Sequence, residues 1–254
     1  MEYPLPIGAQ VAELVDAQVS GTCGRKVVEV RVFSWAPINP TTKLHRGDPD
    51  IMTIDLHQGD LPDGVNLGNL VAIDTETMGL RPGRDRLCLI QLSAGDGNAH
   101  IVQFTKDQYD APNLKAMITD TQITKIFHFA RFDIAVIQKY LSVTCTPVYC
   151  TKIASKLART YTDRHGLKDL CKELLDVSIS KEQQSSDWGK NSLTEMQLSY
   201  AASDVLYLHQ IRELLDKILA REDRTSLAGA CFEFVTDRAK LDLAGWGDID
   251  VFAH

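Results

Sequence analysis

The chain has 254 residues, 44% hydrophobic and 24% charged, with a formal net charge of −7. Those proportions belong to a soluble globular protein with room for a large core, and no apolar run approaches the ~20 residues of a membrane span. The acidic balance excludes the basic stripe with which proteins grip long nucleic acid, but not a short oligonucleotide held at one site.

The N-terminus lacks a basic region followed by a continuous apolar one, so no secretory leader is expected and a cytoplasmic location is. Six cysteines (Cys23, Cys88, Cys145, Cys150, Cys171, Cys231) show no C-x-x-C spacing. Reduced, mostly buried thiols are expected. Residues 12–37 show no sustained periodicity, and "PINPTTKLHRGDPD" follows as a turn-rich stretch. Residues 1–51 are therefore expected to be a disordered extension or a spurious one. The stretch resembles a leucine transfer-RNA gene translated as coding sequence, with "LVDA" in the place of the D-loop and "EVRV" in that of the T-loop, which would make Met52 the true start.

From Met52 onward the elements are clearer. "MTIDL" is a short strand, "LVAIDTETM" a second, "RLCLIQLSAG" a third and "AHIVQF" a fourth, the last two joined by a "DGN" hairpin turn. Short connections among the last three predict an antiparallel meander. Helices then alternate with one further strand: "APNLKAMITD" (helix), "TKIFHFA" (strand), "RFDIAVIQKYL" (amphipathic helix), "TKIASKLARTY" and "LKDLCKELLDV" (helices). "SLTEMQLSYAASDVLYLHQIRELLDKILARE" predicts one long helix opened by a Ser192–Glu195 capping box, and "RTSLAGACFEFVTDRAKLDLAG" a last one. The pattern is that of a single α/β domain with helices on a mixed sheet.

Four carboxylates stand out. Asp74 and Glu76 lie two apart at the end of an apolar strand, so they share a face. Asp133 sits where a strand hands over to a helix, and Asp204 lies on a helix one turn after Tyr200. Each has an ordinary reading: surface charge for the strand pair, a first-turn helix acid for Asp133, a packed tyrosine and a solvated aspartate for the last two. Together they suit phosphodiester hydrolysis with two divalent metals ~3.5–4 Å apart. Magnesium or manganese takes oxygen ligands of this kind, and a tyrosine hydroxyl can orient the attacking water.

The blocks "AIDTETMGL", "FHFARFD" and "YAASD" resemble the three exonuclease motifs of the DEDD superfamily of 3′→5′ exonucleases, RNase D branch. Tyr200 places the likeness in the Tyr-type subgroup, since Ser199 stands where the other subgroup has His. From Met52 to His254 the chain is similar to the small alphaproteobacterial nano-RNase C enzymes. The resemblance implies an RNase H-like, DnaQ-like exonuclease fold over residues 52–254 and metal ligation by Asp74, Glu76, Asp133 and Asp204, with Tyr200 orienting the water. It also implies Leu80 as a wedge against the terminal bases and backbone near Thr75 and Thr77 at the terminal sugar. His128 faces the site or is a structural histidine, and Arg84 and Arg86 contact phosphate or are solvated turn residues. Only 50 residues follow Asp204, too few for the helical RNA-binding domains of full-length RNase D. A homo-oligomer, an octamer by the likeness, and short RNA or dinucleotide substrates cut to nucleoside 5′-monophosphates are the resulting expectations. The alternatives are a broader exonuclease for RNA and DNA ends, and an inactive nucleic-acid-binding protein.

Overall fold

The computed structural model describes residues 26–30, 52–180 and 182–254. Its strands are β1 (Lys26–Val30), β2 (Met52–Gln58), β3 (Leu70–Thr77), β4 (Leu87–Ser93), β5 (Ala99–Gln103), β6 (Thr124–Phe127) and β7 (Val148–Cys150). They form one mixed sheet in the order β1-β2-β5-β4-β3-β6-β7. β3, β4 and β5 are the expected antiparallel meander. β2 adds parallel to β5, and β6 and β7 continue parallel on the other side of β3. Every residue of the central β4 is buried, as a strand covered on both faces requires.

Two strands go beyond the sequence reading. β1 falls inside the stretch where no strand was expected, and pairs antiparallel with β2. The rest of residues 1–51, and the expectations attached to it, lie outside the described residues. β7 follows the cis Thr146–Pro147 bond and has only three residues, too few to show a period.

The helices are α1 (Pro112–Thr119), α2 (Ala130–Leu141), α3 (Thr151–Ala158), α4 (Leu167–Leu175), α5 (Glu195–Leu206), α6 (Leu208–Arg221) and α7 (Thr225–Leu241), the last running into a π-type turn at Asp242–Trp246. The single long helix expected over residues 192–222 is two helices, broken at Tyr207 (φ −100°, ψ −5°). The break lets α5 lie over β3, β4 and β5 while α6 packs against α3. The capping box is also displaced. Thr194 caps α5, its hydroxyl accepting from the Gln197 N–H and the Gln197 side chain accepting from the Thr194 N–H. Thr-x-x-Gln satisfies the same donors as the expected Ser192–Glu195 pair, two residues later.

One apolar layer joins the sheet to α4, α5 and α6, and another joins it to α1, α2 and α7. Cys88, Cys145, Cys150 and Cys171 are buried free thiols and Cys231 is a half-buried one, as expected; Cys23 lies outside the described residues. No helix among the described residues is long and apolar enough to cross a membrane.

Candidate active site

β3 emerges from both apolar layers at its C-terminal end, where Asp74 and Glu76 project on the face covered by α5. α5 brings Asp204 to the same place: ligand oxygens of Asp74, Glu76 and Asp204 all lie within 4.8 Å of one another. Asp133 arrives from the first turn of α2 and is buried. The Thr75 hydroxyl, on the opposite face of β3, donates to Asp133 Oδ1 at 2.7 Å. α2 begins abruptly, since Phe129 adopts the left-handed conformation (φ 73°) just before it. That turn folds the chain from β6 straight into the helix that carries Asp133.

The electrostatics follow from the crowding. Burial, and then the charges of Asp133, Asp204 and Glu76, hold Asp74 well above the usual carboxylate range. Burial, with Asp204 and Asp133, pushes Glu76 up to about 9. Asp133 rises to about 7 through burial, while its bond from Thr75 pulls the other way. Like charges this close cannot all ionise unless a cation joins them. Oxygen-only donors in this number fit a hard divalent ion such as magnesium or manganese. The residues present therefore fit a metal centre.

Tyr200 hydrogen-bonds Asp204, and burial together with the neighbouring carboxylates holds its hydroxyl protonated far above the ordinary range. Its ring packs on that of Trp188, centroids 5.9 Å apart. Trp188 sits in the loop before α5. Arg86 ties that loop to the sheet, its guanidinium donating to the Gly189 carbonyl and reaching the carbonyls of Leu87 and Phe104. Arg86, a candidate phosphate contact or solvated turn residue by sequence, braces this loop in the structure.

The stretch that follows the acid pair is built around a residue the sequence reading passed over. The buried Asp85 carboxylate accepts from the Arg81 N–H and from the Arg84 guanidinium. A Cβ on Gly79 would come within 2.4 Å of Asp85 Oδ2, so the tight loop requires glycine there. Arg84, a candidate phosphate contact or solvated turn residue by sequence, pairs with Asp85 while its side chain stays largely exposed. Thr77 is buried and donates to the Gly79 carbonyl. The loop presents Leu80 outward, 87% exposed, an unusual position for leucine and one open to a ligand.

His128 directly follows β6 (Thr124–Phe127), in the turn that leads into α2. The Thr151 hydroxyl donates to the Phe127 carbonyl and so accepts from His128 Nδ1 at 2.9 Å. This fixes the Nδ1–H tautomer in the neutral ring.

A second group, Asp55, His57 and His100, has ligand atoms equally close together. There, however, His57 Nε2 and His100 Nδ1 share a hydrogen bond at 3.0 Å, which uses the lone pair an ion would need. A cavity of about 320 Å³ lies elsewhere again, between Arg131, Arg238 and residues 247–252. Both guanidiniums there are engaged by Asp242 and by backbone carbonyls.

Residues 62–220 match the model of the 3′-5′ exonuclease family. The chain belongs to that family. It is 29% identical to a ribonuclease D of Gluconacetobacter diazotrophicus over 199 residues, 78% of this chain and 50% of that protein. It is 35% identical to a ribonuclease D of a Shewanella species over 60% of this chain and 39% of that one. The chain thus spans half or less of the length of these relatives. Among solved structures, Brucella melitensis NrnC bound to pGG aligns with 57% identity and a TM-score of 0.78 over 80% of this chain and 99% of that one. The same protein with bound Mg2+ aligns at 55% identity and a TM-score of 0.76, over 79% and 98%. The seven-stranded mixed sheet with its flanking helices is the DnaQ-like exonuclease fold expected from the motifs.

Proposed function

We propose that the protein is a two-metal 3′→5′ exoribonuclease that hydrolyses short oligoribonucleotides, dinucleotides included, to nucleoside 5′-monophosphates. The observation that carries this reading is the meeting of Asp74, Glu76 and Asp204 oxygens within 4.8 Å, with the Asp133 charge raising the proton affinity of Asp74 and Glu76 and Tyr200 bonded to Asp204. The likeness to NrnC structures, one solved with Mg2+ and one with pGG, supports both the ion and a two-nucleotide substrate.

In this reading Asp74, Glu76, Asp133 and Asp204 hold two magnesium or manganese ions, which supply a nucleophile at neutral pH and neutralise the leaving oxygen. Tyr200, kept protonated, orients the attacking water by its hydroxyl and is itself oriented by Asp204 and Trp188. Leu80 wedges against the terminal bases, and backbone at Thr75 and Thr77 meets the terminal sugar. His128, its ring held by Thr151, borders the turn into α2 that carries Asp133. The inactive-protein reading has no support in the residues, since the four acids and the tyrosine are all in place.

A homo-oligomer in the cytoplasm completes the proposal. Exposed Trp246, Ile249, Val251 and Phe252 give the C-terminal segment an apolar surface that suits a second copy of the chain; sedimentation reads the state directly. The catalytic test incubates the purified chain with magnesium and 5′-labelled RNA dinucleotide, RNA heptamer and DNA heptamer. Fast dinucleotide cleavage with slow heptamer trimming is the expected result. Stepwise shortening of both heptamers would favour the second reading, the broader exonuclease for RNA and DNA ends. No metal-dependent cleavage would overturn both.

A further inference from the structure

Gln91 is fully buried at the centre of β4, and neither its Nε2 nor its Oε1 has a hydrogen-bond partner. An orphaned polar group in a dry interior destabilises the fold, so packing alone would favour leucine or methionine at this position. The strand register shows what lies around the amide. Its cross-strand neighbours are Asp74 on β3 and Ile101 on β5, and the register slip in β3 falls later, at Glu76/Thr77. Along β4 itself the neighbours on the same face are Leu89 and Ser93. The Ser93 hydroxyl has spent its one proton on the Asn98 carbonyl and one lone pair on the Gly95 N–H, so it cannot donate to the amide oxygen. Of these four residues, Asp74 alone offers the amide N–H a charged acceptor.

Directly opposed residues in an antiparallel pair have Cβ atoms roughly 4.5–5.5 Å apart, within reach of an amide–carboxylate hydrogen bond, direct or through one water. We propose that Gln91 is a positioning residue for the metal centre: its amide N–H donates to the Asp74 carboxylate in the ion-loaded protein and holds the oxygens in their ligating orientation. Partners that orient a metal's ligands in this way typically change affinity about 10–100-fold when removed. The inference rests on the metal-centre reading above, and adds to it a residue outside the three sequence motifs.

The test measures Mn2+ binding to the full chain by electron paramagnetic resonance of the free ion. The parent is compared with Gln91→Leu and Gln91→Met, and the metal-free melting of all three is followed by circular dichroism. The expected result is a Kd for Mn2+ raised about 10–100-fold, with a metal-free Tm equal to the parent's or higher, because two orphaned polar atoms are gone. A purely structural glutamine would give the opposite pair: lower Tm and unchanged Mn2+ affinity. Affinity within twofold of the parent in either folded variant overturns the proposal. So does failure of both variants to fold, since the amide would then be holding up the sheet. A parent chain that binds no Mn2+ would instead overturn the metal-centre reading itself.

Discussion

Buried charge is handled in two opposite ways in this molecule. Lys125 and Arg159 are fully buried, yet each is answered from within. The Lys125 ammonium donates to the carbonyls of Asp120, Ile123 and Thr146. The Arg159 guanidinium meets Glu173, the Ser155 hydroxyl and the Arg164 carbonyl. At the end of β3 the carboxylates of Asp74, Glu76, Asp133 and Asp204 face one another, and each raises the proton affinity of its neighbours. A satisfied buried charge serves the fold. A cluster of like charges held by neutral hydroxyls such as those of Thr75 and Tyr200 marks a place completed from outside.

The two regions should therefore respond oppositely to mutation. Asp74→Ala is expected to lower turnover by a factor on the order of 10³ or more, equivalent to about 4 kcal/mol of transition-state stabilisation. Its metal-free melting temperature should not fall, because a repelling carboxylate has been removed. Retention of more than a few per cent of the parental rate on labelled dinucleotide would break the contrast. Lys125→Met should do the reverse. Three carbonyls lose their donor, and urea unfolding should show a loss of about 3 kcal/mol, while the folded fraction keeps its specific activity. Tyr200→Phe probes the boundary between the two behaviours, since the hydroxyl is bonded within the protein and is also assigned to the water. A drop in kcat of about 10²-fold with Mn2+ affinity unchanged is expected; an unchanged kcat would leave Tyr200 as packing against Trp188.

Much of this was legible in the sequence, and what was not has identifiable causes. The acids were visible because Asp74 and Glu76 interrupt an apolar run at a two-residue spacing, and because Tyr200 and Asp204 are one helical turn apart. The meander was visible through its short turns. The break at Tyr207 was hidden because no glycine or proline marks it and the apolar spacing continues through α6. β7 was hidden by its length. The roles of Arg84 and Arg86 depend on where their long side chains end, at Asp85 and at the Gly189 carbonyl, and spacing carries no information on that. Asp85 and Gln91 escaped for a related reason. Each acts through a neighbour across a loop or a strand, so it becomes visible only with register and burial.

The acid cluster also makes a prediction that needs no substitution. In the unfolded chain Asp and Glu titrate near their ordinary values of about 4, whereas in the fold Asp133 is pushed up to about 7 and Glu76 to about 9. Between those limits the folded state binds more protons than the unfolded state, so metal-free stability should fall as pH rises from about 4.5 through 9. Below the unfolded values both states are protonated and the penalty vanishes. Above the folded values it is fully developed. Saturating Mn2+ binds the folded carboxylates and stabilises the fold by mass action, and because it competes with protons its effect should grow with pH over the same window. Thermal melts in chelator and in Mn2+ at intervals from pH 5 to 9 measure this directly. Parallel curves would mean that the carboxylates do not receive the ion, whereas curves that diverge with pH tie the destabilised end of β3 to the cation that completes it.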